Sequence, residues 1–130
     1  MKSAILNITI NRDSKDVYNF VSDLQNLPKW AKTFFLYIKK EGDKWQAITL
    51  LGEVKITMTP QNAFGILDHF IYPKPDVEIY VPMRVVANGK GSEVIFTLFR
   101  EPDMSDSQFV QDQKWVREDL ETLKKVMEEG

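Results

Sequence analysis

The sequence contains no cysteine and a single histidine in 130 residues. The first absence excludes disulfides, thiolate nucleophiles and every zinc site built on sulfur. The second excludes the multi-histidine ligand sets of common metal centres, so neither a metal nor another cofactor is expected. No stretch approaches the roughly 18 to 20 consecutive apolar residues of a membrane span. Residues 1 to 10 alternate apolar and polar types instead of forming the continuous apolar segment of a signal peptide. Charge of one sign is missing as well: 17 Lys and Arg are interspersed with 19 Asp and Glu, for a net charge of −2. That balance lacks the basic footprint of a nucleic-acid-binding chain. There is also no glycine-rich phosphate loop, no paired-acid constellation and no nucleophile elbow, and Gly89-Lys90-Gly91 reads as a hairpin turn. No catalytic residue is assigned, and the cytoplasm is the expected location.

What is present is a chain of one-domain size, 43% hydrophobic, with one core expected over residues 1–130. Leu6, Ile8 and Ile10 alternate with Asn7 and Thr9 in the period of a strand. Ser14 is an N-cap candidate, and Val17, Phe20, Val21 and Leu24 then recur at helical spacing. Pro28 disfavours helical geometry at Leu27, which predicts a separate short helical piece from about Pro28 to Lys32. From Phe34 to Arg100, strand patterns alternate with turn signals. Val54, Ile56 and Met58 share one face, as do Val94, Phe96 and Leu98. A strand from Val77 to Val86 places Ile79, Val81, Met83 and Val85 opposite Glu78, Tyr80, Pro82 and Arg84. Arg84 is therefore expected in an outer-face ion pair with Glu78, Glu93 or Glu101. Ser105 or Asp106 can cap a last helix, running to about Glu128, whose apolar stripe is Phe109, Val116, Leu120, Leu123 and Met127, interrupted by Gln113.

The order of elements is thus a strand, two short helices, a run of antiparallel strands and one long helix. Three stretches carry it: VYNFVSDLQNLPKW after the first strand, VPMRVVANGKGSEVIFTLFR late in the sheet, and FVQDQKWVREDLETLKKVM in the final helix. In this order the chain resembles the START-like or SRPBCC superfamily, which includes polyketide cyclases, aromatases, the birch-pollen allergen and lipid-transfer domains. The resemblance implies an α+β helix-grip fold, in which a curved antiparallel sheet wraps around the long C-terminal helix and the short helices close one end. It also implies an apolar cavity between helix and sheet, able to take a small hydrophobic or amphipathic molecule. The superfamily hosts several functions, so the fold does not select one.

The residues expected to line such a cavity are Trp30, Trp45, Thr49, Met58, His69, Met83, Phe96, Phe109, Gln113, Val116 and Leu120. For most of them, plain core packing is the competing reading. Trp45, Ala47, Thr49 and Leu51 share a strand face, with Lys44 and Gln46 opposite. His69 follows Asp68 directly, and adjacent strand residues point apart, so Asp68 cannot orient the ring as a triad carboxylate would. Trp30 is either a wedge in the core or a gate at the mouth. Trp115 falls outside the helical stripe, as a flank cover or a contact for a second subunit, which leaves a homodimer open. Ligand binding without catalysis is the leading expectation. A cyclase or aromatase-like enzyme using His69 or tyrosines is one alternative, and an interaction module like the chaperone activators, with Trp30 or Trp115 at the partner surface, is another.

Overall fold

The alternation at the start of the chain forms β1 (Ser3–Ile10), with Leu6 and Ile10 buried and Ile5 exposed. The computed structural model describes residues 1–129. After β1 come α1 (Ser14–Ser22), a single 3-10 turn (Leu24–Asn26) and α2 (Leu27–Trp30). Seven strands follow: β2 (Phe35–Glu41), β3 (Lys44–Thr49), β4 (Gly52–Met58), β5 (His69–Lys74), β6 (Val77–Val81), β7 (Met83–Asn88) and β8 (Gly91–Phe99). The chain then forms α3 (Asp106–Glu129). This is the α+β helix-grip arrangement expected from the order of elements. No described helix is long and apolar enough to cross a membrane.

Two details of the helical opening differ from the sequence reading. The cap of α1 is Asp13, whose carboxylate accepts from the Lys15 N–H at 2.8 Å, and not Ser14. Leu27 is helical despite preceding Pro28, with φ −51° and ψ −48°. The break lies four residues earlier, at extended Asp23, whose carboxylate accepts from the Gln25 N–H. Pro28 sits in the first turn of α2, where a missing N–H costs no intrahelical bond.

The strands form two antiparallel sheets, ordered β1-β8-β7 and β2-β3-β4-β5-β6. The long strand expected from Val77 to Val86 is divided at Pro82, which has no N–H to donate to a ladder. Before it, β6 pairs with β5 through Ile79 and Ile71; after it, β7 pairs with β8 through Met83 and Phe96. The Pro82 carbonyl still accepts from Thr97 N–H at 3.0 Å, so backbone bonding spans the division. Close by, Gly65 approaches β7 with φ +70°, and a Cβ there would lie 2.1 Å from the Val85 carbonyl oxygen. Only glycine fits that approach.

The helix α3 is held over the sheets by apolar contact and by cations. Leu120 and Leu123 have no exposed surface, and Met127 is buried beside them. Arg117 and Lys124 donate to the carbonyls of Asn7 and Thr9, each at 2.7 Å, which ties the helix to β1. Ser105 is the cap, its hydroxyl accepting from the Gln108 N–H at 3.1 Å. At the other end Arg12 donates to the Met127 carbonyl, satisfying a group that the helix leaves open.

Candidate ligand cavity

Between the first half of α3 and the sheets lies a cavity of about 500 Å³. Its inner end is walled by Leu27, Trp30, His69, Val81 and Phe96, contributed by α2, β5, β6 and β8. Its outer end is framed by the exposed Leu50 and Leu51 of the β3–β4 turn and by Met104, Gln108 and Asp112. The lining is dominantly apolar and aromatic, with polar groups concentrated along one flank of α3.

That flank is not the apolar stripe seen in the sequence. Gln108, Asp112, Trp115 and Asp119 recur at steps of four, three and four, which places them on one helical face beside the stripe. Val116 belongs to both faces. The helix therefore turns Leu120, Leu123 and Met127 into the core and Gln108, Asp112, Trp115 and Asp119 towards the void. Trp115 is half-buried in the cavity wall, and Trp30 is 3% exposed at the inner end.

The expected lining residues divide into three groups. Trp30, His69, Phe96 and Val116 meet around the cavity. Trp45 and Met58 lie along a separate cleft of about 520 Å³, beside Ser22, Asp23, Asp43 and Lys55, and Lys40 stands over the Trp45 ring at 5.3 Å. Thr49, Met83, Phe109, Leu120 and Gln113 border neither space. Met83 and Leu120 are fully buried core, Phe109 is buried, and Gln113 is half-buried. Thr49 is buried because its hydroxyl closes the β3–β4 turn, donating to the Gly52 carbonyl and accepting from the Leu51 N–H. The alternation argument gave the correct strand face for Trp45 and Thr49; what it lacked was position along that face.

The polar groups of the cavity are mostly acceptors. Asp119 is buried and accepts from Thr33 twice, from its N–H at 3.1 Å and from its hydroxyl at 2.7 Å. Burial pushes this carboxyl up to about 6, against the lowering effect of the two Thr33 donors; the charge of Glu118 adds to the rise. Burial also raises Asp112, opposed by the Gln108 amide that donates to it at 2.6 Å, and raises Glu101. The His69 ring is driven towards its neutral form chiefly by burial. Its Nδ1 lies 3.1 Å from the Leu67 carbonyl, which can only accept, so Nδ1 carries the hydrogen and Nε2 keeps a lone pair. Among the described residues, the Trp30 indole N–H is buried without an acceptor, and no lysine or arginine lines the cavity.

Asp68 lies one residue before β5. It faces outward and accepts from the Met83 N–H, the Tyr80 hydroxyl and Arg84. Arg84 is thus on the outer face as expected, with Asp68 as its partner at 3.4 Å in place of Glu78, Glu93 or Glu101. The residues missed from sequence are Thr33, Glu101, Gln108, Asp112 and Asp119. The spacing of Asp112, Trp115 and Asp119 was the available signal, since a helix that meets both a core and a void needs a wider contact face than one stripe.

No protein-family model matches the sequence, and no curated protein matches it. Solved structures do match in shape. The protein XoxI from Bacillus cereus is similar with a TM-score of 0.77 at 15% identity, covering 98% of this chain and 96% of that one. The Aha1 dimer from Colwellia psychrerythraea gives 0.71 at 15% identity, covering 98% and 96%. Ara h 8.0201 gives 0.68 at 13% identity, covering 99% of each chain. Together with the element order, the two antiparallel sheets and the long helix, these likenesses show that the chain has the helix-grip fold of those structures.

Proposed function

We propose that this protein binds a small apolar or amphipathic molecule between α3 and the sheets. The observation that carries the reading is the cavity of about 500 Å³, whose size falls within the roughly 300 to 1,000 Å³ typical of small-molecule sites. Interiors pack to crystal-like density, so a void of this size forfeits dispersion contacts that an apolar guest would restore. Trp30, His69, Phe96 and Val116 are the expected residues that contact the guest in this reading, joined by Ile71, Val81, Leu98 and Trp115. Met83, Phe109 and Leu120 are buried outside the lining and have no contact with the guest. Trp45, Met58, Thr49 and Gln113 have no contact with it.

Native mass spectrometry of freshly purified protein, followed by solvent extraction, tests this directly. The expected result is a releasable small-molecule adduct, or binding of the neutral dye Nile red with a shifted emission. Filling the space by Leu98→Trp is expected to remove both. A chain that carries no adduct and leaves Nile red in its aqueous state overturns the proposal.

A further inference from the structure

The chemistry of the cavity wall says which kind of amphipath fits. The chain holds nearly equal numbers of cationic and anionic side chains, 17 and 19. Yet the charged residues of the cavity are Glu101, Asp112 and Asp119, with no lysine or arginine among them. Asp119 is occupied by Thr33, whereas Glu101 and one oxygen of Asp112 have no donor among the described residues. Glu101 and Asp112 stand at the outer end with Gln108 and Met104, and the ring of Trp115 follows Asp112 along the same face of α3. Carboxylates beside an aromatic face make a setting for a cation, since the ring adds its own attraction to the charge pairing.

A second, independent group points the same way. His69 is 4% exposed and lies at the inner wall, and its Nε2 has a lone pair with no protein donor. The Thr33 hydroxyl serves Asp119 and the Gln108 amide serves Asp112, while the Trp30 indole N–H at the same wall is a neutral donor without an acceptor among the described residues. The lining is therefore richer in free acceptors than in free donors, and it holds no cationic side chain among the described residues. An anionic amphipath such as a fatty acid would set its carboxylate against like charges with no cation to receive it.

Resting on the binding reading above, we infer that the preferred guest is an amphipathic amine, its apolar body packed between α3 and the sheets and its ammonium at Asp112 and Glu101. Burial raises both carboxyls, and an apposed cation relieves that cost of ionisation.

The test uses the whole chain and three probes with the same twelve-carbon tail: dodecylamine, dodecanol and dodecanoate, each competing with Nile red below its micelle concentration. Dodecylamine is protonated at neutral pH, as a lysine side chain is. It is expected to bind about tenfold or more tighter than dodecanol, as a charge-assisted contact implies, with dodecanoate weakest. The combined variant Asp112→Asn, Glu101→Gln keeps shape and removes both charges, and is expected to bring the amine and alcohol affinities to within about threefold. Each single variant gives a partial loss should the pair disturb folding, which a melting curve reads out. Dodecanoate binding as tightly as the amine, or an amine preference that survives the charge-neutral variant, overturns the inference while leaving the cavity reading intact. Failure of all three probes and of Nile red overturns both.

Discussion

The space under α3 has two halves that share one helix and differ in everything opposite it. Towards the C-terminal end, Leu120, Leu123 and Met127 meet Leu6 and Ile10 of β1 and Val17 and Val21 of α1 in one buried cluster. Towards the N-terminal end, Gln108, Asp112, Trp115 and Val116 face an unfilled volume ringed by Trp30, Val81, Phe96 and Leu98. Helical period is the same in both halves, so the division arises from what the sheets and short helices supply. Where β1 packs against the helix, apolar residues are core. Where the void separates the helix from Val81, Phe96 and Leu98, residues of the same helix become walls. Complete packing and open volume are thereby separated along a single element.

Truncation on each side of the division breaks or upholds it most strongly. Leu123→Ala is expected to destabilise the fold by about 3 kcal/mol, because it opens a cavity where packing is complete. The matched change Leu98→Ala borders space that is already empty and is expected to cost no more than about half as much. Urea unfolding of both variants decides the point, and equal losses would remove the distinction.

The pH dependence of Asp119 sharpens the same boundary, since Asp119 clasps Thr33 at the edge of the void. Its carboxyl is held near 6 in the folded chain against an ordinary 3.8. The folded state thus binds the proton more tightly, so this contribution to stability is complete below about pH 4 and is lost as pH rises through 6. Asp68, Glu93 and Glu128 are shifted downward and act in the opposite sense, so the readout is a difference between two chains. Stability of Asp119→Asn relative to the parent is expected to rise by about 2 kcal/mol between pH 4 and pH 7, after allowance for solvent screening. A difference that stays flat would show that the clasp is solvated.

The smallest effect on stability falls at the lips. Leu50 and Leu51 are 54% and 62% exposed, and replacing both with serine is expected to change unfolding free energy by less than about 0.5 kcal/mol. Stopped-flow release of Nile red is expected to quicken severalfold, because the same side chains narrow the entrance. Unchanged release would place the entrance elsewhere.

How much of this could be read from the residues depends on the kind of signal. Strand and helix periods are local, so the element order and the inward faces of β1, β4 and β8 were legible. The division at Pro82 was written in the sequence but lost to the apolar alternation on either side of it. Leu27 shows the reverse error: a steric preference against helix before proline yielded to the buried packing of Leu27 and Trp30. Cavity walls were the least legible, because a carboxylate beside a void and a carboxylate in water occupy the same helical positions. Nothing in the sequence separates Asp112 and Asp119 from acidic residues of a solvated flank. Likewise Trp45 has the parity of a lining residue and lies at the wrong end of its strand.

The Thr33–Asp119 clasp joins residues 86 positions apart, and every cavity-lining residue of α3 follows all eight strands in the chain. During synthesis, then, the sheets emerge with their concave apolar surface uncovered, and no pocket exists until the last helix leaves the ribosome and docks. Docking of α3 is therefore the step that converts an open apolar surface into an enclosed volume.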